Sequence, residues 1–176
     1  VNVGTCTMAT PGHGAGGASE MPTSIIVEND QSIKTSVETI STSGIVGHTT
    51  YQIVVLLAPT ALNCYTIYGD SRPMQFPPAY QVAQPFGNDV GGVSPAFFGF
   101  KPDSQYDSWL TVGEVSGNLD NEVSQIGIDF ATWSTTSALV SSGDTGGAVF
   151  WMNPDHAVPA TSSHGQRSMI IAQLTV

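Results

Sequence analysis

Short runs of β-branched and aromatic residues, separated by Gly, Pro, Asn and Asp, dominate the chain from Ile25 onward. Runs of this length and composition are typical of strands. The candidate strands are SIIVEN, SIKTSVETI, TYQIVVLLA, NCYTIYG, DSWLTVG, VSQIGIDF, residues 138–140, GAVFWM and SMIIAQLTV. No segment has a sustained helical apolar period, so very little helix is expected. The sequence therefore predicts an all-β fold of about eight or nine strands, a single β-sandwich or jelly-roll-like domain.

The first 24 residues differ from the rest of the chain. They are small, polar and rich in glycine, and they lack the apolar periodicity that a packed element needs. We therefore predict a flexible arm over residues 1–24 and a β-sandwich domain over residues 25–176. His13, with a glycine on each side, is expected to belong to the arm rather than to a ligand site.

A long segment, residues 71–100, does not fit a strand because it contains five prolines, which cannot donate to a strand ladder. A loop of that length is usually functional or disordered, and this one is too aromatic for disorder. We predict a flap over one open face of the sandwich. The alternative is a contact surface for a ligand or a neighbouring subunit. The candidate assembly contacts are Phe76, Tyr80, Phe86, Phe97 and Phe98.

The charge balance narrows the range of partners. Four basic residues oppose fourteen acidic ones, which gives a net charge of −10, and only 10% of all residues are charged. A chain of this kind repels nucleic-acid phosphates and anionic lipid surfaces. The longest apolar run, residues 53–58, is much shorter than a membrane span. We predict neither nucleic-acid binding nor membrane insertion.

Two cysteines, Cys6 and Cys64, are present. A disulfide between them would close a long loop and contribute about 4 kcal/mol in the chain-entropy model. The alternative is that Cys64, beside Tyr65, is a buried free thiol. The sequence leaves both open.

The stretch GDTGG, residues 143–147, resembles two catalytic motifs. As a variant of GDSGG it would make Thr145 a protease nucleophile with His48 as the base, but a secondary alcohol crowds the attack position. As DTG it would supply Asp144 to an aspartic protease, which needs two such loops, and this chain has one. We predict a turn that leads into the strand AVFWM, with Asp144 bonded to backbone amides and glycines supplying positive φ.

No metal or cofactor site is expected. Two groups have suitable side chains, and the spacing of each matches no known ligand pattern. These groups are Asp120, Glu122 and Asp129, and Asp155, His156 and His164.

A sugar site is the more serious alternative, because flat aromatic rings stack on sugar faces. The candidate stacking residues are Trp133 and Tyr80. Trp109 and Trp151 lie in strand patterns, where a buried ring is expected.

From Thr50 to the end, the chain resembles a family of uncharacterised β-rich proteins of marine algae, bacteria and their viruses. The resemblance is carried by TTYQIVVLLA, YGDSRPM, VSPAFFGFKPDSQYDSWLTVG, IGIDF, GGAVFWMNPD and QRSMIIAQLTV, in that order. It implies a module of surface or shell-forming proteins and no transferable catalytic residue. Residues 1–49 lie outside it.

These observations together predict a non-enzymatic structural subunit of an extracellular or cell-surface fibre, sheath or shell. An intracellular or plastid shell is the alternative location. The subunit would form a homo-oligomer or polymer through its arm and edge strands. The alternative functions are a carbohydrate-binding module, with polysaccharide as the partner, and a protease that uses the GDTGG segment.

Overall fold

The computed structural model describes residues 5–9, 25–26, 34–69, 73–141, 146–163 and 166–176. Within these residues there is no α-helix, and the regular structure consists of strands and four short 3₁₀ helices. The strands are β1 (Thr5–Ala9), β2 (Ile25–Ile26), β3 (Lys34–Ser41), β4 (Thr50–Leu57), β5 (Asn63–Tyr68), β6 (Gln75–Phe76), β7 (Trp109–Leu110), β8 (Val123–Ile126), β9 (Leu139–Val140), β10 (Ala148–Trp151), β11 (Thr161–Ser163) and β12 (Gln166–Thr175). The predicted all-β fold is confirmed.

The strands form two larger antiparallel sheets and one small pair. The first sheet has the order β2-β1-β5-β10-β8, and the second has the order β11-β12-β4-β3. The short strand β7 also pairs with β12, and β6 pairs with β9. The longest ladder joins β12 to β4, from Arg167 opposite Leu57 to Thr175 opposite Thr50.

One buried cluster contains side chains from both larger sheets. Val55 and Leu57 of β4 and Ile171 of β12 belong to it, as do Ile67 of β5 and Val149 of β10, and each of these is at most 1% exposed. The hydrophobic core is therefore built from side chains of both sheets. The sandwich or jelly-roll arrangement itself stays a prediction.

The apolar run TYQIVVLLA was expected to be a central strand that is buried on both faces. It forms β4, which lies between β12 and β3. Val54 and Val55 point to opposite faces because side chains alternate along a strand, and they are 5% and 0% exposed. This prediction is confirmed at the strand centre.

The expected strand DSWLTVG contains only the two-residue β7. Trp109 and Leu110 pair with Gln173 and Ala172 of β12, beside a bulge at Ile171. The two segments stay in contact at the bulge, where the backbone N–H of Thr111 donates to the Ile171 carbonyl at 2.9 Å. A bulge bends its strand and interrupts regular pairing, which accounts for the short strand.

Part of the predicted arm is a strand. Thr5–Ala9 forms β1, which pairs with β5 on one side and with β2 on the other. Cys64 of β5 is buried and disulfide-bonded. The chain's other cysteine, Cys6, has its backbone in β1 opposite Ile67. The pairing of Cys6 with Cys64 stays a prediction, which an intact mass before and after reduction would test. Residues 10–24 lie outside the described part.

Two glycines form the end of GDTGG and the entry to β10. Gly146 and Gly147 have φ of +63° and +70°, and the Gly69 N–H donates to the Gly147 carbonyl at 3.0 Å. A Cβ on Gly146 would overlap the Gly69 carbonyl group. The glycines supply positive φ as the turn interpretation predicts. Asp144 and Thr145 lie outside the described residues.

We expect Gly146→Ala to lower the free energy of unfolding by more than about 1 kcal/mol, because alanine at positive φ is strained and its methyl group meets backbone. The measurement is urea unfolding followed by tryptophan fluorescence. Gly99→Ala is the matched control, since a Cβ there would meet nothing within 4 Å. Equal unfolding midpoints for the two variants would contradict the close approach.

Candidate functional site

The proline-rich segment, residues 71–100, and the residues that follow it contact the end of β12. The backbone N–H of Tyr80 donates to the Thr175 carbonyl at 2.8 Å, and the Thr175 N–H donates to the Ser108 hydroxyl at 3.0 Å. The Gln173 side-chain amide donates to the carbonyl oxygens of Gln105 and Asp107 at 3.0 and 2.9 Å. These bonds hold Tyr80 of this segment, which we call the flap, and residues 105–108 against the end of β12. That the flap covers one open face of a sandwich stays a prediction.

One buried carboxyl group organises this flap. The Asp107 side chain accepts hydrogen bonds from the N–H groups of Val82 at 2.7 Å and Asn88 at 2.8 Å. Asn88 in turn donates its amide to the carbonyl oxygens of Val90 and Gly92, at 2.6 and 2.9 Å. Residues 82–92 are therefore tied to the start of β7 by these side-chain bonds, and also by backbone hydrogen bonds that Leu110 makes with Asp89 and Gly91, at 3.0 and 2.9 Å.

The same burial changes the acidity of Asp107, which is 1% exposed. Burial raises its pKa to about 7, against the lowering effect of backbone N–H groups from Val82, Asn88 and Ser108. The nearby charge of Asp89 raises the pKa further. The folded state therefore keeps the proton of this carboxyl group at pH values where the unfolded chain has lost it.

The flap ends in a turn that presents phenylalanine side chains. A 3₁₀ helix, Pro95–Phe97, is capped by the Ser94 hydroxyl, and the Phe97 carbonyl accepts from the N–H groups of Phe100 and Lys101 at 3.0 and 2.8 Å. The rings of Phe86 and Phe97 meet edge to face with centroids 5.6 Å apart. We call Phe86, Phe97, Phe98 and Phe100 the aromatic surface.

The exposure of these rings is uneven. Phe100 is 82% exposed and Phe86 is 37% exposed, while Phe97 and Phe98 are half-buried. Leu119, at 76% exposed, lies across a shallow cleft of about 190 Å³ that Phe97 also lines. Phe100 is therefore the most exposed ring of the aromatic surface, and the sequence interpretation did not single it out. The run FFGF was the available signal.

Two of the predicted contact residues lie elsewhere. Phe76 is 1% exposed and belongs to the core, so it offers no surface to a neighbouring subunit. Tyr80 is half-buried, with its ring 6.1 Å from that of His48. Burial raises the pKa of Tyr80, with a smaller contribution in the same direction from Asp103.

The expected sugar-stacking ring of Trp133 is covered. It is 3% exposed, lies against Phe76 and Phe130, and donates its indole N–H to the Pro77 carbonyl at 2.8 Å. Trp109 and Trp151 are also buried, as their strand patterns indicate. No tryptophan ring face is therefore open to a sugar in this structure, because the chain has three tryptophans and all are buried.

The residues weighed as metal ligands come together only in part. Glu122 accepts from the His156 ring at 3.1 Å and lines a cleft of about 360 Å³ with Glu114 and Asp120. Asp129 instead caps a separate 3₁₀ helix. Among the described residues, no group of three or more His, Cys, Asp or Glu side chains is arranged to hold a metal ion. His164 lies outside the described residues.

The protease hypothesis receives no geometric support from the described residues. The His48 ring nitrogen lies 3.0 Å from the Val46 carbonyl, within its own turn. The other proposed participants, Asp144 and Thr145, are outside the described part.

Among the described residues there is no helix long and apolar enough to cross a membrane.

Comparisons with known proteins identify no similar protein. No family model matches the chain, and no curated protein or solved structure gives a significant match. The resemblance to marine β-rich proteins stays a prediction.

We expect Asp107→Asn to lower the free energy of unfolding by about 1–3 kcal/mol, because an amide can accept only one of the two N–H groups and leaves the other unsatisfied. The deficit relative to the unmodified chain is expected to shrink as pH rises from about 4 to about 7. In that range the unfolded chain loses the carboxyl proton while the folded state keeps it up to about pH 7, so the unmodified chain loses stability as pH rises, and asparagine does not titrate.

Urea unfolding of both proteins at several pH values in that range measures this difference. Asp103→Asn is the control, since Asp103 is a part-exposed residue of the neighbouring 3₁₀ helix, Pro102–Tyr106, and forms an ion pair with Lys101. A deficit that grows with pH would contradict a raised pKa at Asp107.

Proposed function

We propose that this chain is a non-enzymatic structural subunit that assembles with copies of itself into a fibre, sheath or shell outside the cell or at its surface. The observation that carries the proposal is the aromatic surface, above all the 82% exposed ring of Phe100. An exposed aromatic group on a rigid turn is a common anchor of protein interfaces. The bonds of Asp107 and the Ser94 cap fix the backbone on which these rings stand, which lowers the entropy cost of association.

The low charge density of the chain supports this proposal. Few ionised side chains need to lose water when two copies pack. The net charge of −10 on each copy opposes association at long range. Assembly should therefore depend on how well salt screens that charge.

We expect assembly of the purified chain to increase with ionic strength between about 0.01 and 0.15 M. Over that range the screening length falls from about 30 Å to about 8 Å, which weakens repulsion between the copies. Light scattering and negative-stain microscopy measure the response. A chain that remains monomeric at every salt concentration and pH would refute the proposed function.

Phe100→Ser should raise the concentration at which assembly begins by about tenfold or more, because burial of a phenylalanine side chain contributes about 1.5–3 kcal/mol. Val46→Ser is the matched control: Val46 is 96% exposed and lies outside the aromatic surface. If the two variants assemble alike, the aromatic surface is not the contact.

A further inference from the structure

The strand β3 forms an open edge of the second sheet. It pairs with β4 on one side, and among the described residues no strand pairs with its other side. Such an edge presents unpaired N–H and C=O groups, which can pair with another strand. Natural edges are usually short, strongly charged or interrupted. β3 has eight residues, and its register is regular from Lys34 to Thr39.

Apolar side chains on this edge extend beyond the core. Val37 is opposite Ile53, which is 4% exposed, so both lie on the same face of the sheet. Val37 is nevertheless 64% exposed, and Ile40 is 47% exposed. A strand added outside β3 would cover part of Val37.

The two charged residues of β3 are complementary to each other. Lys34 and Glu38 are both exposed and lie on one face, because they are four positions apart on a strand. Their neighbours in β4 are the uncharged Leu56 and Gln52. In the part of the chain that the structure describes, neither forms an ion pair.

Antiparallel pairing of β3 with a second copy of itself would satisfy both charges. If the two strands are centred on Ser36, Lys34 of each copy lies directly opposite Glu38 of the other. One two-fold axis then generates two ion pairs. Centring on Val37 would instead place Lys34 opposite Ile40, so the charge pattern favours the register centred on Ser36.

We propose that two copies of the chain join along β3 in an antiparallel pair centred on Ser36, which makes their second sheets continuous. This inference rests on the proposed function and names one of its contacts. The contact is isologous, because the same strand is used by both copies. It is separate from the aromatic surface, so a subunit that has both contacts can extend an assembly beyond a dimer.

Charge reversal on β3 tests this register. The dimerisation constant is measured by sedimentation in Phe100→Ser, which weakens the aromatic contact, and compared with Lys34→Glu, Glu38→Lys and the double variant in that background. Each single reversal places like charges opposite each other twice and should weaken the dimer by about tenfold. The double reversal should restore it to within about threefold.

The two single variants change the net charge in opposite directions, which separates the local pair from long-range repulsion. If only Lys34→Glu weakens the dimer, net charge and not register is responsible, and the inference is overturned. Lys101→Glu is the control for net charge, because Lys101 pairs with Asp103 of its own chain at 2.7 Å. It should have much less effect than Lys34→Glu.

A cysteine at the centre of the pair gives a second measurement. Opposed residues of antiparallel strands have Cα atoms about 4.5–5.5 Å apart, within reach of a disulfide. Ser36→Cys should therefore form a covalent dimer under mild oxidation, and faster than Val37→Cys. Faster cross-linking of Val37→Cys would overturn the register.

The outcomes separate the two proposals. If the unmodified chain assembles and the Phe100→Ser variant shows no dimer sensitive to β3 charges, the edge inference fails and the proposed function stands. If the unmodified chain stays monomeric while the β3 amides that do not bond to β4 are protected from hydrogen exchange, the chain's own residues cover the edge and both proposals fail.

Discussion

The Asp107 carboxyl group is the constraint on which the irregular half of this protein depends. It accepts hydrogen bonds from the N–H groups of Val82 and Asn88, two residues outside the strands that the structure describes. A buried carboxyl group is costly to desolvate, and the cost appears as a pKa raised to about 7. Because the backbone donors need an acceptor, the loop and the carboxyl group hold each other in place.

The strand β12 contacts residues 105–107 through polar groups. Gln173 and Thr175 of β12 are buried, and their side chains bond to the backbone of residues 105–107. Buried polar groups of this kind must be matched one to one, so the loop can dock on β12 in only one register. These contacts therefore help to fix the position of the aromatic surface relative to β12.

The proposed assembly would use two features that a single chain leaves exposed to solvent. The aromatic surface exposes Phe100, and the β3 edge exposes Val37 with one positive and one negative charge. The low charge density of the chain makes close packing of copies inexpensive in desolvation, while the net charge of −10 sets a long-range barrier that salt can screen. Attraction between the copies thus acts only at direct contact, while charge repulsion acts over longer distances.

Local pattern predicted the all-β fold, the long strands β3, β4 and β12, the buried Trp109 and Trp151, and the glycine turn at Gly146, because strand period and positive φ depend on neighbouring residues. Sequence alone missed β1, which lies in a glycine-rich segment without apolar periodicity and forms a strand by pairing with β5. It also misplaced exposure, since Phe76 is buried and Phe100 is not. Phenylalanines look alike in sequence, and whether each is covered is decided by residues far away in the chain, which only the tertiary structure brings together.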